Sequence, residues 1–177
     1  DHFYDENTPF FVMEWIDGTQ LKMVSEVARQ DGYRIPKQQA VFIAAEICKA
    51  LTHAHQRRDE NGVDLGIIHR DVSPPNVLLS REGEVKLADF GLAKAQSQIT
   101  ATDPGVVKGK FGYLSPEAAS GDPVDLRADV FSTGIILWET LAGRRLFEGD
   151  SDLDTVKQVR AAHIPPLKAI NSDIDDE

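Results

Sequence analysis

The sequence has little cysteine, no excess of positive charge and no long apolar run. Its single cysteine, Cys48, cannot form an internal disulfide, so we expect a reducing, cytoplasmic location. The 19 basic and 29 acidic residues give a net charge of −10. This argues against nucleic acid as a partner, because phosphate binding needs a basic surface. No apolar run approaches the roughly 20 residues of a membrane span, so we expect no membrane segment in this chain. An anchor elsewhere in a longer protein stays open.

What is present suits one globular domain. Of the 177 residues, 41% are hydrophobic and 27% are charged, which is an ordinary balance for a packed domain. The chain begins without Met and ends in an acidic stretch, Asp173 to Glu177. We therefore expect it to be a fragment of a longer protein.

The spacing of apolar residues predicts a mostly helical α+β unit. The β-forming run from Phe10 to Ile16, ended by Asp17-Gly18, predicts a buried strand. The apolar segments Asn76 to Ser80 and Glu84 to Ala88 predict a hairpin. Helical periods predict helices at 21–30, 37–56, 130–141 and 155–162, and polar composition predicts a long mobile loop at 92–107. The second helix is apolar on nearly every face, so we expect it to be well buried, with Cys48 in the core.

Two Asp residues and one Asn, which lie around the predicted hairpin, are of the types that phosphoryl transfer requires. That reaction requires a carboxylate to hold the acceptor hydroxyl, and oxygen ligands to hold Mg²⁺ against the phosphates. Asp71 and Asn76 precede the hairpin, and Asp89 follows it. Because Asn76 and Asp89 stand at the open ends of the hairpin, we expect them to lie close together. For each Asp taken alone, a cap or a solvated charge is the alternative.

These residues belong to an ordered series of motifs. They are His69-Arg70-Asp71 with Asn76, then Asp89-Phe90-Gly91, then Ser115-Pro116-Glu117, then the run from Asp129 to Gly134. With this order and spacing, from about Phe10 to Pro166, the chain resembles the protein kinase family. Within the family it looks most like the bacterial Hanks-type serine/threonine kinases that abound in myxobacteria.

The resemblance implies an α+β, protein kinase-like fold, mostly the helical C-lobe with the hinge strand and the catalytic hairpin. Residues 1–18 would be the end of the N-lobe and the hinge, and residues 19–177 a C-lobe truncated before its last helices. The implied reaction transfers the γ-phosphate of ATP to Ser or Thr hydroxyls of a protein substrate, with Mg²⁺ as cofactor. Asp71 would be the catalytic base, and Asn76 and Asp89 would be the Mg²⁺ ligands.

The resemblance also implies a nucleotide site. Met13 would be the gatekeeper behind the adenine, the backbone of Glu14 and Ile16 would bond the adenine edge, and Leu78 would pack beneath the ring. Asp17 would either reach the ribose or serve only as a turn residue. Met13 and Leu78 are of types that would be buried in any case, so their ligand roles rest on the resemblance alone.

Further residues would support the catalytic loop. The resemblance makes Asp129 a brace for the loop backbone, and a helix N-cap is the alternative. It also implies that His69 and Phe90 stack on each other. His53 and His55, on the long helix, are expected to pack or to face solvent rather than to bind a metal.

The resemblance extends to regulation. Arg70, helped by Lys94, would pair with a phosphate on the activation loop. The candidate phosphate acceptors are Thr100, Thr102 and Ser97, with Thr102 preferred. The alternative is that all of them are simply polar loop residues.

Two positions depart from the family pattern. Serine/threonine kinases usually carry Lys two residues after the catalytic Asp, where this chain has Ser73. They usually carry Thr after the Gly that opens the substrate-docking loop, where this chain has Lys110. We hypothesise that the hydroxyl and the ammonium have exchanged places, so that Lys110 supplies the phosphate-directed charge. The rival hypothesis is that both sites are degraded and the protein is a pseudokinase.

Some family elements have no counterpart in the sequence. No Gly-rich loop, strand Lys of the VAIK type or partner Glu precedes Phe10. We therefore expect little or no kinase activity from the fragment itself. A partner-binding pseudokinase is one alternative function. A small-molecule phosphotransferase is another, which Ser115-Pro116-Glu117 and the long loop disfavour.

Overall fold

The computed structural model describes the backbone of residues 2–5 and 8–11 and all atoms of residues 12–90 and 110–174. The predictions for Lys94, Ser97, Thr100 and Thr102, and for the loop at 92–107, lie outside the described residues.

Short strands and longer helices make up the described chain. The strands are β1 (His2–Asp5), β2 (Thr8–Phe11), β3 (Gly18–Gln20), β4 (Val77–Ser80) and β5 (Val85–Leu87). The helices are α1 (Leu21–Gln30), α2 (Lys37–His55), α3 (Pro116–Ser120), α4 (Arg127–Ala142) and α5 (Asp152–Ala161). The α+β class and the predicted hairpin are confirmed. None of these helices is long and apolar enough to span a bilayer.

The strands form two small antiparallel sheets. In one sheet β1 pairs with β2, and in the other the order is β3-β4-β5. The predicted hairpin is the β4–β5 pair, in which Val77 lies opposite Leu87. β3 pairs with β4, with Gln20 opposite Leu78, and so adds a third strand to the hairpin. The segment before β3 therefore lies beside the hairpin.

Local signals explain where α1 and α3 end. Gly32, with φ of 73°, follows α1, and the Tyr33 N–H donates to the Ala28 carbonyl at 2.7 Å. At the start of α3 the Ser115 hydroxyl accepts from the Ala118 N–H at 3.3 Å. Gly121, with φ of 80°, ends the same helix. Glycine suits both ends because a Cβ disfavours the left-handed region.

The core lies where α2 packs along α4 and against β5. Its buried side chains come from α1, α2, β4 and the segment before it, α4, the α4–α5 connection and α5. They include Leu21, Ile43, Ile47, Leu51, Val72, Val77, Ile135, Ile136, Phe147 and Val159. Burial of each such side chain contributes about 1.5–3 kcal/mol relative to exposure. The core therefore fixes α2 and α4 against each other, and the functional loops are attached to these two helices.

The prediction that α2 is buried on nearly every face is wrong. Its buried residues, such as Ile43, Ile47 and Leu51, lie on one face. Val41, Phe42 and Cys48 are exposed, so the prediction of Cys48 in the core is also wrong. The reason is that the other described elements pack against one side of α2 only. Residue type alone does not tell which apolar face meets a partner.

The strand predicted from Phe10 to Ile16 is shorter in the structure and is not followed by a buried segment. β2 ends at Phe11, and Met13 and Trp15 are 77% and 88% exposed. The expected burial of Met13 is therefore wrong within the described residues, because none of them covers this side chain. Leu78, on β4, is partly buried.

Candidate active site

Asp129, in the first turn of α4, holds the loop that leads into β4. Its side chain is buried, and Oδ2 accepts from the His69 N–H at 2.9 Å. Oδ1 accepts from the Arg70 N–H at 2.8 Å. The N-cap position of α4 is Leu126, so Asp129 lies inside the helix rather than capping it. The geometry thus fits the brace and not the N-cap alternative.

Two residues beside the hairpin adopt a backbone conformation that is unusual for non-glycine residues. Arg70 has φ of 66° and Asp89 has φ of 64°. Such left-handed conformations cost of order 1–3 kcal/mol unless the surroundings enforce them. The hydrogen bond from the Arg70 N–H to Asp129 offsets part of that cost. The strain therefore falls on Arg70, next to the predicted catalytic base Asp71, and on Asp89, a predicted Mg²⁺ ligand.

His55 completes the shell around Asp129, which the sequence analysis did not foresee. Its Nε2 lies 2.7 Å from Asp129 Oδ2, and its side chain is 12% exposed. One signal was present in the sequence. His55 follows Ile47 and Leu51 at steps of four, which places it on the buried face of α2. Asp129 thus has three partners, two from the loop backbone and one from α2.

His69 links the loop to the far end of the hairpin. Its ring is buried, Nε2 lies 2.9 Å from the Ala88 carbonyl, and Nδ1 accepts from the Asp71 N–H at 3.3 Å. The ring centroid lies 4.4 Å from that of Phe90, which is the stacking that the resemblance implied. Burial lowers the pKa of His69, and the Ala88 hydrogen bond and the nearby carboxylates only partly oppose this. The ring is therefore held neutral, with its proton on Nε2.

The four predicted catalytic residues lie together around Asp71. The Lys110 ammonium donates to Asp71 Oδ2 at 2.6 Å, and Asn76 Nδ2 donates to the same oxygen at 3.0 Å. Asn76 Nδ2 also donates to the Asp71 carbonyl at 2.8 Å. Ser73 is buried, and its hydroxyl lies 3.5 Å from that carbonyl. The Asp71 carboxylate is partly exposed, so a substrate hydroxyl can reach it.

Asn76 and Asp89, the predicted Mg²⁺ ligands, stand at the two open ends of the β4–β5 hairpin. The Ala88 N–H donates to the Asn76 carbonyl at 2.8 Å, which ties together the two open ends of the hairpin. Asn76 directs its NH₂ group at Asp71, so its Oδ1 remains as an acceptor. One carboxylate and one amide oxygen suit Mg²⁺, which completes its shell with water and phosphate oxygens. Within residues 12–90 and 110–174, no cluster of three or more His, Cys, Asp or Glu side chains offers another metal site.

The predicted nucleotide residues lie before β3 and on β4. They are Met13, Glu14, Ile16, Asp17 and Leu78. Glu14 Oε1 lies 3.2 Å from the Lys86 ammonium on β5. Asp17 Oδ1 lies 3.2 Å from Arg81 Nε, and the Asp17 carbonyl accepts from the Arg81 N–H at 2.9 Å. These contacts fix the segment to the hairpin, and in this arrangement the Asp17 carboxylate pairs with the hairpin turn.

Arg70, the predicted regulatory residue, lines a cavity that Asp71, Ser73, Asn76 and Lys110 do not line. Its side chain is exposed and lines a cavity of about 290 Å³ together with Leu114, Asp122 and Asp129. Lys94 and the candidate phosphate acceptors lie outside the described residues. The predicted pairing of Arg70 with a loop phosphate therefore stays a prediction.

A second buried polar cluster was not predicted from the sequence. The Tyr113 hydroxyl donates to Glu139 Oε2 at 2.6 Å, and the Leu146 N–H donates to Glu139 Oε1 at 3.0 Å. The Arg145 guanidinium donates to the Tyr113 hydroxyl and lies 3.5 Å from Glu139 Oε2. Burial raises the pKa of both Glu139 and Tyr113. The cluster joins the segment after Lys110 to the end of α4.

Replacing Asp129 with Ala tests the brace. We expect the free energy of unfolding to fall by about 3 kcal/mol, because two loop amides and His55 lose a buried charged acceptor. Urea unfolding followed by circular dichroism measures it. The control is Asp125→Ala, four residues earlier, which removes an exposed carboxylate paired with Arg127. Equal effects of the two substitutions would contradict the brace.

The lowered pKa of His69 predicts a pH dependence of stability. The folded chain favours the neutral His69 ring. The stabilisation that this ring contributes is therefore fully present above the unfolded pKa of about 6.5. It is lost as the pH falls through 6.5 towards the lower folded pKa. We expect the decrease in unfolding free energy between pH 7.5 and 5.5 to be smaller in His69→Gln than in the parent. The exposed His163→Gln variant should keep the parental decrease, and an unchanged decrease in His69→Gln would refute the assignment.

The chain was compared with known families and proteins. The protein kinase domain family matches residues 1–176. The chain is 42% identical over 94% of its length to the serine/threonine-protein kinase PknB of Mycobacterium leprae, and covers 26% of that protein. It is 40% identical over 94% of its length to PknB of Mycobacterium tuberculosis, also covering 26%. It is 33% identical over 98% of its length to the tyrosine-protein kinase MasK of Myxococcus xanthus, covering 27%.

The chain thus spans about a quarter of the length of these curated relatives. The family match, by contrast, extends over nearly all of the chain. It includes the loop held by Asp129, the cluster around Asp71 and the hairpin that ends at Asp89. On these grounds the chain belongs to the protein kinase family.

Proposed function

We propose that the protein containing this chain transfers the γ-phosphate of ATP to Ser or Thr hydroxyls of protein substrates. The observation that carries the proposal is the cluster around Asp71. A partly exposed carboxylate there is held by Asn76 and Lys110, and the Asn76 carbonyl is bonded to the N–H of Ala88, the residue before Asp89. The PknB relatives are named serine/threonine-protein kinases, which supports the same acceptor class.

The residues around Asp71 can perform the reaction in one step. Asp71 accepts a hydrogen bond from the acceptor hydroxyl and orients its oxygen towards the γ-phosphorus. As the new O–P bond forms, the bond between the γ-phosphorus and the β–γ bridging oxygen breaks, and the hydroxyl proton passes to the Asp71 carboxylate. Asn76 keeps that carboxylate in place. Mg²⁺ held by Asn76 and Asp89 would neutralise phosphate charge when it is bound.

Lys110 and Ser73 are proposed to have exchanged their usual roles. The 2.6 Å contact between the Lys110 ammonium and Asp71 Oδ2 supports this, because it puts a cation beside the expected position of the γ-phosphate. Ser73 lines the same cavity as Lys110, and its hydroxyl lies 3.5 Å from the Asp71 carbonyl. In this arrangement the charge needed at the phosphate is kept, although it comes from a different segment.

The proposal also covers the domain limits, the nucleotide site, the regulatory residues and the cellular location. Residues 1–18 are assigned to the end of the N-lobe and the hinge, and residues 19–177 to a C-lobe without its last helices. The nucleotide would contact Met13, Glu14, Ile16, Asp17 and Leu78. Arg70 and Lys94 would bind a phosphate on Thr102 or Thr100, and the kinase domain would lie in the cytoplasm. Each of these assignments stays a prediction.

A pseudokinase that only binds partners is the alternative. The joint presence of Asp71, Asn76 and Asp89 argues against it, because a scaffold needs none of the three together. The name of MasK as a tyrosine-protein kinase also makes Tyr an acceptor that an assay must include.

The proposal is tested with the full-length protein, ATP, Mg²⁺ and peptides that contain Ser, Thr or Tyr. We expect transfer to Ser and Thr, and a decrease in kcat of about 10³-fold in Asp71→Asn, because the proton acceptor is lost. Asp64→Asn, in an exposed loop, is the control. Full activity of Asp71→Asn would contradict the proposal. The 177-residue chain alone should show little turnover, and robust turnover would refute that part.

The exchange of roles predicts a separate result. Lys110→Ala should lower kcat by about 100-fold, because a charge directed at the transferring phosphate is removed. The double substitution Ser73→Lys/Lys110→Thr should restore most of the rate. Lys49→Ala, on the exposed side of α2, controls for loss of a positive charge. If Lys110→Ala keeps full activity, Lys110 does not supply the phosphate-directed charge.

A further inference from the structure

A cavity adjoins the Asp71 cluster on the side of Lys110. Its volume is about 200 Å³, and both Ser73 and Lys110 line it. The remaining walls come from α1 and the residues after it, from Pro74 and Pro75, and from the end of α4. Lys110 therefore contacts the Asp71 carboxylate and the cavity at the same time. A substrate whose acceptor hydroxyl meets Asp71 would therefore lie next to this cavity.

Positive charge dominates the lining of the cavity. Five cationic side chains line it, namely Lys22, Arg29, Arg34, Lys110 and Arg145. Three acidic side chains do so, namely Glu26, Glu139 and Glu148. The lining thus has an excess of positive charge, although the chain as a whole carries a net charge of −10. Such a local reversal of sign favours an anionic ligand.

The acidic side chains are mostly engaged by other groups. Glu139 is buried and is bonded to Tyr113, Arg145 and the Leu146 N–H. Glu26 Oε1 lies 3.9 Å from the Lys22 ammonium on the same helix. A cationic group of an incoming peptide would therefore compete with Arg145 and Lys22 for these acidic side chains.

Arg29 and Arg34 keep donors for a ligand. The Arg34 Nη2 donates to the Ile170 carbonyl at 3.0 Å, which uses one of the five N–H donors of its guanidinium. Arg29 is exposed and lines the same cavity as Tyr113 and Glu139 of the buried polar cluster. A guanidinium matches the two oxygens of a carboxylate or a phosphate, and such charge-assisted bonds are about twice as strong as neutral ones.

We propose that this cavity binds an acidic or phosphorylated side chain of the protein substrate, close in sequence to the acceptor Ser or Thr. The inference rests on the proposed function and names its substrate class. An extended peptide advances about 3.4 Å per residue, so a side chain one to three positions from the acceptor reaches the cavity past Lys110. Arg29 and Arg34 bind the anionic group, and Lys110 stays with Asp71 and the transferring phosphate.

The test uses the full-length protein and peptides that share one acceptor Ser. Each of the three positions on either side of the Ser carries Ala, Glu, phosphoserine or Arg in turn. We expect kcat/KM to rise at least tenfold for Glu or phosphoserine at one or more positions, relative to Ala. Arg at the same position should give no rise. Arg29→Glu should bring kcat/KM for the Glu and phosphoserine peptides down to that for the Ala peptide, whereas Arg58→Ala, in an exposed loop, should keep the preference.

The possible results separate the inference from the proposed function. A gain for phosphoserine alone identifies a phosphorylated ligand, and equal gains for Glu and phosphoserine identify any anionic side chain. Both results support the inference. Equal rates on all peptides, or a preference for Arg, overturn the inference and leave the proposed function intact, because transfer is still observed. An Arg29→Glu variant that slows every peptide equally also overturns it. Absence of transfer to every peptide overturns the proposed function, and the inference with it.

Discussion

The loop between α2 and β4 depends on one buried carboxylate, that of Asp129. A buried charge is costly unless its hydrogen-bonding capacity is filled, and here the His69 and Arg70 amides and the His55 ring fill it. The partners of Asp129 come from the loop and from α2. The packing of α2 on α4 therefore also fixes the position of the loop. The core therefore sets the backbone position from which Asp71 extends.

The loop held by Asp129 is in turn hydrogen-bonded to the β4–β5 hairpin. The His69 ring reaches the Ala88 carbonyl, and the Ala88 N–H returns to the Asn76 carbonyl. These two bonds lock the residues before β4 to the residue before Asp89. Hydrogen bonds thus tie the loop that carries Asp71 and Asn76 to Ala88, the residue before Asp89. The left-handed conformations of Arg70 and Asp89 occur in this loop and directly after Ala88.

The sequence predicted the local elements better than it predicted burial. The bounds of α1 and the β4–β5 hairpin followed from short-range patterns and turn residues. The motif order predicted one site from Asp71, Asn76 and Asp89, of which Asp71 and Asn76 are hydrogen-bonded to each other, and the roles of the three stay a prediction. The exposure of Cys48 and Met13 did not follow, because residue type does not reveal whether a partner covers a surface. The hydrogen bonds between His55 and Asp129 and between Tyr113 and Glu139 join residues far apart in the chain. A local sequence pattern therefore does not predict these pairings.

Asp129 holds the loop that carries Asp71, and amide hydrogen exchange at His69 and Arg70 measures this most directly. In Asp129→Asn, which keeps the shape of the side chain, we expect the His69 and Arg70 amides to exchange at least about 100-fold faster than in the parent. The amide of Ile47, in the core of α2, should keep its protection and so report that the chain remains folded. Unchanged protection of the His69 and Arg70 amides in a folded Asp129→Asn variant would contradict the account.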